Sequence, residues 1–161
     1  MAVDMFLNMG PTIKGETLDK AQKALGDIDI LGWAWGLSSS PVRTGGGAPK
    51  ASFQDISFTK YLDKASTALM MALAKGTLIP VCTLLVRKVG DPQQKYLVIT
   101  LTKALVTSIS AGGSGGEDRF IENVTINFAQ VKVEYFMQDD KGMTISGGVF
   151  AWDIVANAVA P

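Results

Sequence analysis

Histidine is absent from the 161 residues, and cysteine occurs once, at Cys82. Those two absences exclude Ser-His-Asp and Cys-His nucleophilic machinery, His-containing zinc sites and all-cysteine zinc sites. No intramolecular disulfide can form, so the fold needs no oxidising compartment. Long apolar runs are missing too: the longest, Ala68 to Ala74, is far below the roughly 18 residues that a membrane-spanning helix needs. The opening Met1-Ala2-Val3-Asp4-Met5-Phe6 places an acid where a secretory signal needs basic residues and then an apolar stretch. The expectation is a soluble product made in the cytoplasm without a Sec signal.

An excess of charge of either sign is also lacking. Lys plus Arg and Asp plus Glu both number 15, giving net charge +0 and an isoelectric point near 6.2. Nothing supplies the positive field that nucleic acid or anionic lipid requires, so neither nucleic-acid binding nor membrane insertion is expected. With 47% hydrophobic residues and a mean hydropathy of +0.22, little self-repulsion holds copies apart, which favours self-association.

What is present points to β structure. Segments rich in β-branched and aromatic residues recur at Val3 to Met9, Ile28 to Trp35, Phe53 to Thr59, Leu78 to Arg87, Tyr96 to Ile109, Phe120 to Met137 and Val149 to Val155. Glycine clusters at Gly45 to Gly47, Gly112 to Gly116 and Gly147-Gly148 punctuate them. No linker or internal repeat appears. The expectation is one domain over 1–161, mostly β, as an antiparallel sandwich or barrel. One short helix is predicted, with Ser66 as cap, Leu69, Met70 and Leu73 as apolar stripe and Gly76 as stop. A weaker helical candidate covers Leu18 to Leu25, with Gly26 as stop.

Two strands are informative in their alternation. From Ile28, one face carries Asp29, Leu31, Trp33 and Trp35, and the other carries Ile28, Ile30, Gly32, Ala34 and Gly36. The tryptophan face is expected in the core. The Gly32, Ala34, Gly36 face is stripped of bulk, as where another surface approaches or space stays open. In the longer run, Val124, Ile126 and Phe128 are in one phase and Val131, Val133 and Tyr135 in the other. The slip at Ala129 and Gln130 predicts a bulge or a passage from one sheet to the other.

Catalytic patterns are weak. Cys82 lies among Ile79, Val81, Leu84 and Leu85 and reads as a buried small hydrophobe. The run Gly112 to Arg119 lacks the Gly-Lys-Ser/Thr ending of a phosphate loop and leads into a strand, so it reads as a structural loop in which Glu117, Asp118 and Arg119 make intersubunit or ion-pair contacts. Acids that could be paired on paper, Glu117, Asp118, Asp139 and Asp140, are loop residues of the ordinarily solvated kind. No enzyme, metal or cofactor is expected. The stretch Ser38 to Lys50, with Arg43 and Gly45, Gly46 and Gly47, is a long loop that either docks on assembly or stays mobile.

Several motifs in the same order resemble one family, the haemolysin-coregulated proteins that form the tube of the bacterial type VI secretion system. They are the opening Met1 to Phe6, Lys14-Gly15-Glu16, Ile30-Leu31-Gly32-Trp33-Ala34-Trp35-Gly36, Asp55-Ile56-Ser57-Phe58-Thr59-Lys60-Tyr61, Leu69-Met70-Met71-Ala72, Gly112 to Arg119 and Glu122 to Ala129. The resemblance covers nearly the whole chain; Thr17 to Gly26 and the arm near Gly45 depart from it as longer segments. It implies a two-sheet antiparallel β-barrel with one short α-helix at its side. Six copies close into a ring, and rings stack into a hollow tube with effector proteins in its lumen, a spike protein at its tip and a contractile sheath around it. The product would be secreted to the medium or into target cells. Gly32, Ala34 and Gly36 are then expected at the lumen, and Arg43, Gly45, Gly46, Gly47, Glu117, Asp118 and Arg119 at ring or stacking contacts. The alternatives are a phage tail-tube-like protein and a monomeric barrel that holds a small apolar ligand.

Overall fold

The computed structural model describes residues 2–39, 50–90 and 92–161. In chain order the strands are β1 (Val3–Asn8), β2 (Ile28–Asp29), β3 (Gly32–Ala34), β4 (Leu37–Ser39), β5 (Ala51–Phe53), β6 (Ile56–Tyr61), β7 (Ile79–Lys88), β8 (Gln94–Gly112), β9 (Ile121–Asn127), β10 (Gln130–Gln138), β11 (Thr144–Asp153) and β12 (Ala158–Val159). Among the described residues one α-helix, α1, runs Ala65–Lys75 between β6 and β7.

Every pairing among the described residues is antiparallel. A large sheet has the order β12-β11-β10-β8-β7-β1-β2, and a small one runs β3-β6-β9-β8. The 19-residue strand β8 belongs to both. Its first half pairs with β7 and β10, and from Leu105 onward it pairs with β9. Between the halves Lys103 has φ 53°, a left-handed backbone that a side chain with Cβ adopts only at some cost. The strands that pair with β8 turn the same corner: β9 ends in the small sheet, β10 begins in the large one, and Ala129 N–H donates to Thr102 O (3.0 Å) at the junction. The phase slip at Ala129 and Gln130 is thus a passage between sheets.

Among the described residues the sheets do not close into a barrel by a continuous ladder. Opposite β8 the gap is bridged by two single bonds, Ile30 N–H to Met5 O (3.0 Å) and Leu31 N–H to Thr59 O (2.8 Å). That crossing corrects the single alternation expected from Ile28 to Gly36. Ile28 and Ile30 face the core at 0% and 6% exposure, while Leu31 is 42% exposed. The chain leaves the large sheet at Ile30, joins the small one at Gly32, and reverses phase in between. Trp33 and Trp35 do pack on the core, with Trp35 Nε1 donating to Gln54 O (2.9 Å).

The core lies between the sheets and is filled by Leu7, Ile28, Phe58, Leu84, Ile99, Leu101, Val124 and Ile126, among others. Cys82 is part of it, and burial pushes its thiol up to about 12. Helix α1 buries Ala65, Ser66, Leu69 and Ala72. Of the expected stripe only Leu69 points inward; Met70 and Leu73 lie on the exposed side with Met71. Small residues let the helix lie close to β8, which displaces the buried face toward the alanines. Ser66 is not the cap. It sits in the first turn, where its hydroxyl accepts from Asp63 N–H (3.0 Å), and Asp63 Oδ1 accepts from Ala65 N–H (2.9 Å). Gly76, at φ 64°, ends the helix as expected.

The candidate helix at Leu18 to Leu25 is an irregular strap with one 3-10 turn, Lys23–Leu25, closed by Gly26 at φ 72°. Leu18 is 86% exposed, so no apolar face is available to bury. Instead Asp19 accepts from the Ala21 and Gln22 N–H groups and pairs with the buried Arg87 of β7, whose guanidinium lies over the Phe6 ring.

Three expectations follow. Lys103→Val should destabilise by about 1–2 kcal/mol, because a β-branched residue tolerates left-handed backbone worse, while Lys103→Gly should be neutral or stabilising; urea unfolding midpoints decide. Cys82 should stay unlabelled by a thiol reagent at pH 8 and react only on unfolding. Arg87 holds the Asp19 carboxyl below its ordinary value, so the tie acts fully above the unfolded-chain value and fades as pH falls through the folded one. The stability gap between wild type and Asp19→Asn should therefore close below about pH 4.

Candidate functional site

Next to Tyr61 and Ile121, which pair at one end of it, the outer face of the small sheet carries small and polar residues in two rows that cross all four strands. One row is Ala34, Ser57, Thr125 and Ser108; the other is Gly32, Thr59, Asn123 and Ser110. The cause is alternation: Ile56, Phe58, Val124 and Ile126 take the inner face, so the residues between them face out. Neither row carries a charge.

The hydroxyls are tied to one another. A bulge in β8 between Val106 and Ser108 places Thr107 beside its neighbour, so the Thr107 and Ser108 hydroxyls lie 2.8 Å and 2.7 Å from that of Thr125. Thr107 donates to Asp55 Oδ2 (2.8 Å), and Asn127 Nδ2 donates to Asp55 Oδ1 (2.9 Å). A carboxylate only accepts, and each hydroxyl has one proton, so the chain runs Ser108 to Thr125 to Thr107 to Asp55. Thr59 Oγ1 donates to Asn123 Oδ1 (2.8 Å), and Ser57 Oγ to Ala34 O (3.3 Å). The hydroxyl protons of Ser57, Thr59, Thr107, Ser108 and Thr125 are thus engaged within the face.

Gly32 and Ala34 stand at the edge of these rows, and Ala34 is exposed. A Cβ on Gly32 would meet nothing within 4 Å, whereas one on Gly36 would lie 3.2 Å from Gln54 Oε1. Gly36 is half-buried and outside the rows, so it separates from the other two. At the far end of the sheet, the β8–β9 loop curls on itself: Glu117 N–H donates to Ser114 O (3.2 Å), and Ser114 N–H to Glu117 Oε2 (3.3 Å). Arg119 lies 4.0 Å over the Tyr61 ring and pairs with neither Glu117 nor Asp118 among the described residues. Arg43, Gly45, Gly46 and Gly47 lie outside the described residues.

Beneath this face is a charged cluster. Lys60 and Glu122 are directly opposed on β6 and β9 and fully buried. Lys60 Nζ pairs with Glu122 Oε1 and with Asp63 Oδ1 (2.9 Å), and Ser66 Oγ donates to Glu122 Oε1 (2.8 Å). Among the described residues no group of acids, histidines or cysteines is arranged to hold a metal.

Residues 6–135 match the family model described as "Type VI secretion system effector, Hcp". The chain belongs to the Hcp family. It is 49% identical to Protein hcp1 of Pseudomonas aeruginosa strain PAO1, over 99% of this chain and 100% of that one. A solved structure of a type six secretion system protein superposes with TM-score 0.88 at 26% identity, covering 99% and 100% of the two chains. Hcp1 from Salmonella typhimurium gives 0.80 at 33% identity, also over 99% and 100%. The Hcp family is a structural and secreted protein family of type VI secretion, not a known enzyme family.

The two rows escaped sequence reasoning apart from Gly32 and Ala34. Their signal was present in Ser57 and Thr59 between Ile56, Phe58 and Lys60, and in Asn123 and Thr125 between Glu122, Val124 and Ile126. Lys60 and Glu122 fall in the apolar phase of both strands. Replacing Ser108 or Thr125 with Ala should change stability by less than about 1 kcal/mol, since these are exposed neutral hydrogen bonds; Glu122→Ala, which leaves Lys60 buried without that partner, should cost about 3–5 kcal/mol. Urea unfolding of the three variants separates the two layers.

Proposed function

We propose that this chain is a tube subunit of the type VI secretion system: six copies close into a ring, rings stack into a hollow tube, and the outer face of the small sheet lines the lumen and holds effector proteins. The observation that carries the reading is the pair of uncharged rows, a strip across four strands without bulk or charge that is suited to a passage wall. Family membership supports the rest, including passage of the tube past a contractile sheath behind a spike protein.

The large sheet supports assembly. Its inner side runs past the core, leaving Tyr135, Met137, Ile145 and Phe150 between 37% and 43% exposed, and β12 ends it as a short open edge. Apolar surface and a free edge on a chain of zero net charge are suited to contact with a neighbouring copy. A ring needs two different surfaces per subunit, and stacking need not close. Arg43, Gly45 to Gly47 and Glu117 to Arg119 remain the candidates for ring or stacking contacts. The small-ligand barrel is disfavoured by the packed space between the sheets.

Light scattering after gel filtration should give about six protomers, a closed cyclic ring; a monomer would sink the reading. Ala34→Gln should leave that ring intact and abolish retention of co-expressed effector. Unchanged co-purification would remove Ala34 from the cargo-facing wall.

A further inference from the structure

The apolar core leaves the register of β6 against β9 underdetermined. The inward side chains are Ile56, Phe58 and Lys60 on one strand, and Glu122, Val124 and Ile126 on the other. A slip of one residue would turn both sets outward, and the core forbids it. A slip of two residues returns every side chain to its own face. It merely exchanges one branched apolar neighbour for another, such as Val124 for Ile126 opposite Ile56, a change of the kind that cores tolerate. On the inner face only the charged pair distinguishes the two. After a two-residue slip, either Phe58 faces Glu122 or Lys60 faces Val124, and a buried charge loses its partner.

The pair is a poor source of stability. Both groups are taken fully out of water, and Glu122 Oε2 has no hydrogen-bond donor among the described residues. A buried apolar pair of similar volume would serve the core as well. The outer face also prefers the observed register, through Thr59 to Asn123 and Asn127 to Asp55, but exposed neutral or singly charged hydrogen bonds select more weakly than a buried charge left alone.

We infer that Lys60 and Glu122 act as the register key of the small sheet and so determine which side chains meet in the two outer rows. In the observed register Ser57 faces Thr125; after a slip it faces Asn123 or Asn127, and both four-strand rows dissolve. The consequence for cargo rests on the proposed wall, while the register itself is read without any cargo. Failure of the Ala34→Gln result would therefore leave this inference standing.

The test uses cysteine pairs on the outer face of the full-length chain, with Cys82 silent in the core. Ser57→Cys with Thr125→Cys reports the observed register, and Ser57→Cys with Asn123→Cys or with Asn127→Cys reports the two slipped ones. In Lys60→Met/Glu122→Leu, the ratio of slipped to native disulfide, summed over both slips, should rise about tenfold or more over wild type. Lys60→Met/Glu122→Gln, whose amide still accepts from Ser66, is the second variant and should behave alike. An unchanged ratio in whichever double variant folds overturns the inference. If neither folds, the pair is needed for stability rather than register, which also overturns it.

Discussion

One strand serving two sheets is the constraint from which the rest of the molecule follows. Because β8 pairs with β7 and β10 along its first half and with β9 along its second, the chain that follows it must divide at the same corner. Lys103 supplies the turn in β8, and Ala129 supplies it where β9 gives way to β10. The corner sets the angle between the sheets, encloses the core between them, and leaves each sheet with a free surface of different character. On the small sheet that surface is neutral and finely textured. On the large one the inner side outruns the core and is left partly uncovered.

The same geometry explains why charge appears inside. The small sheet is narrow and short, and its inner face has few side chains with which to define an alignment. Lys60, Glu122, Ser66 and Asp63 bring β6, β9 and the start of α1 to one point. Helix and strands are thereby set relative to one another by directional bonds, where packing alone would be permissive. Arg87 plays a comparable part on the large sheet, where Asp19 and Phe6 hold the strap against β1 and β7.

Much of the fold was legible in the sequence, because alternation is a strong signal wherever one side of a strand is buried. The recurring strands, the buried Cys82 and the slip at Ala129, which left a bulge and a change of sheet as alternatives, came from that pattern; the helix and its end at Gly76 came from helical spacing and a stop residue. Features that depend on tertiary choice were not legible. The phase reversal at Leu31 arises because the chain changes partners there, which no local periodicity records. Met70 and Leu73 lost the inner face of α1 to alanines because close approach to β8 outweighed side-chain size. Ser66 looked like a cap, yet its hydroxyl answers to Glu122, a residue 56 positions away. Of the candidate site, Gly32 and Ala34 were found through their smallness, while the hydroxyl rows went unread because Ser and Thr on an outer face look like ordinary solvated surface.

A face built of hydroxyls and amides has no long reach. Asp55 closes one end of its hydrogen-bond chain, but the rows themselves hold nothing for salt to screen and, with no histidine anywhere in the chain, nothing that gains or loses a proton between about pH 5 and 8. A body lying against such a surface is felt only at contact distance, through shape and short polar contacts. The rows themselves therefore behave alike in dilute and salty water, and on either side of a boundary between compartments whose acidity differs within that range.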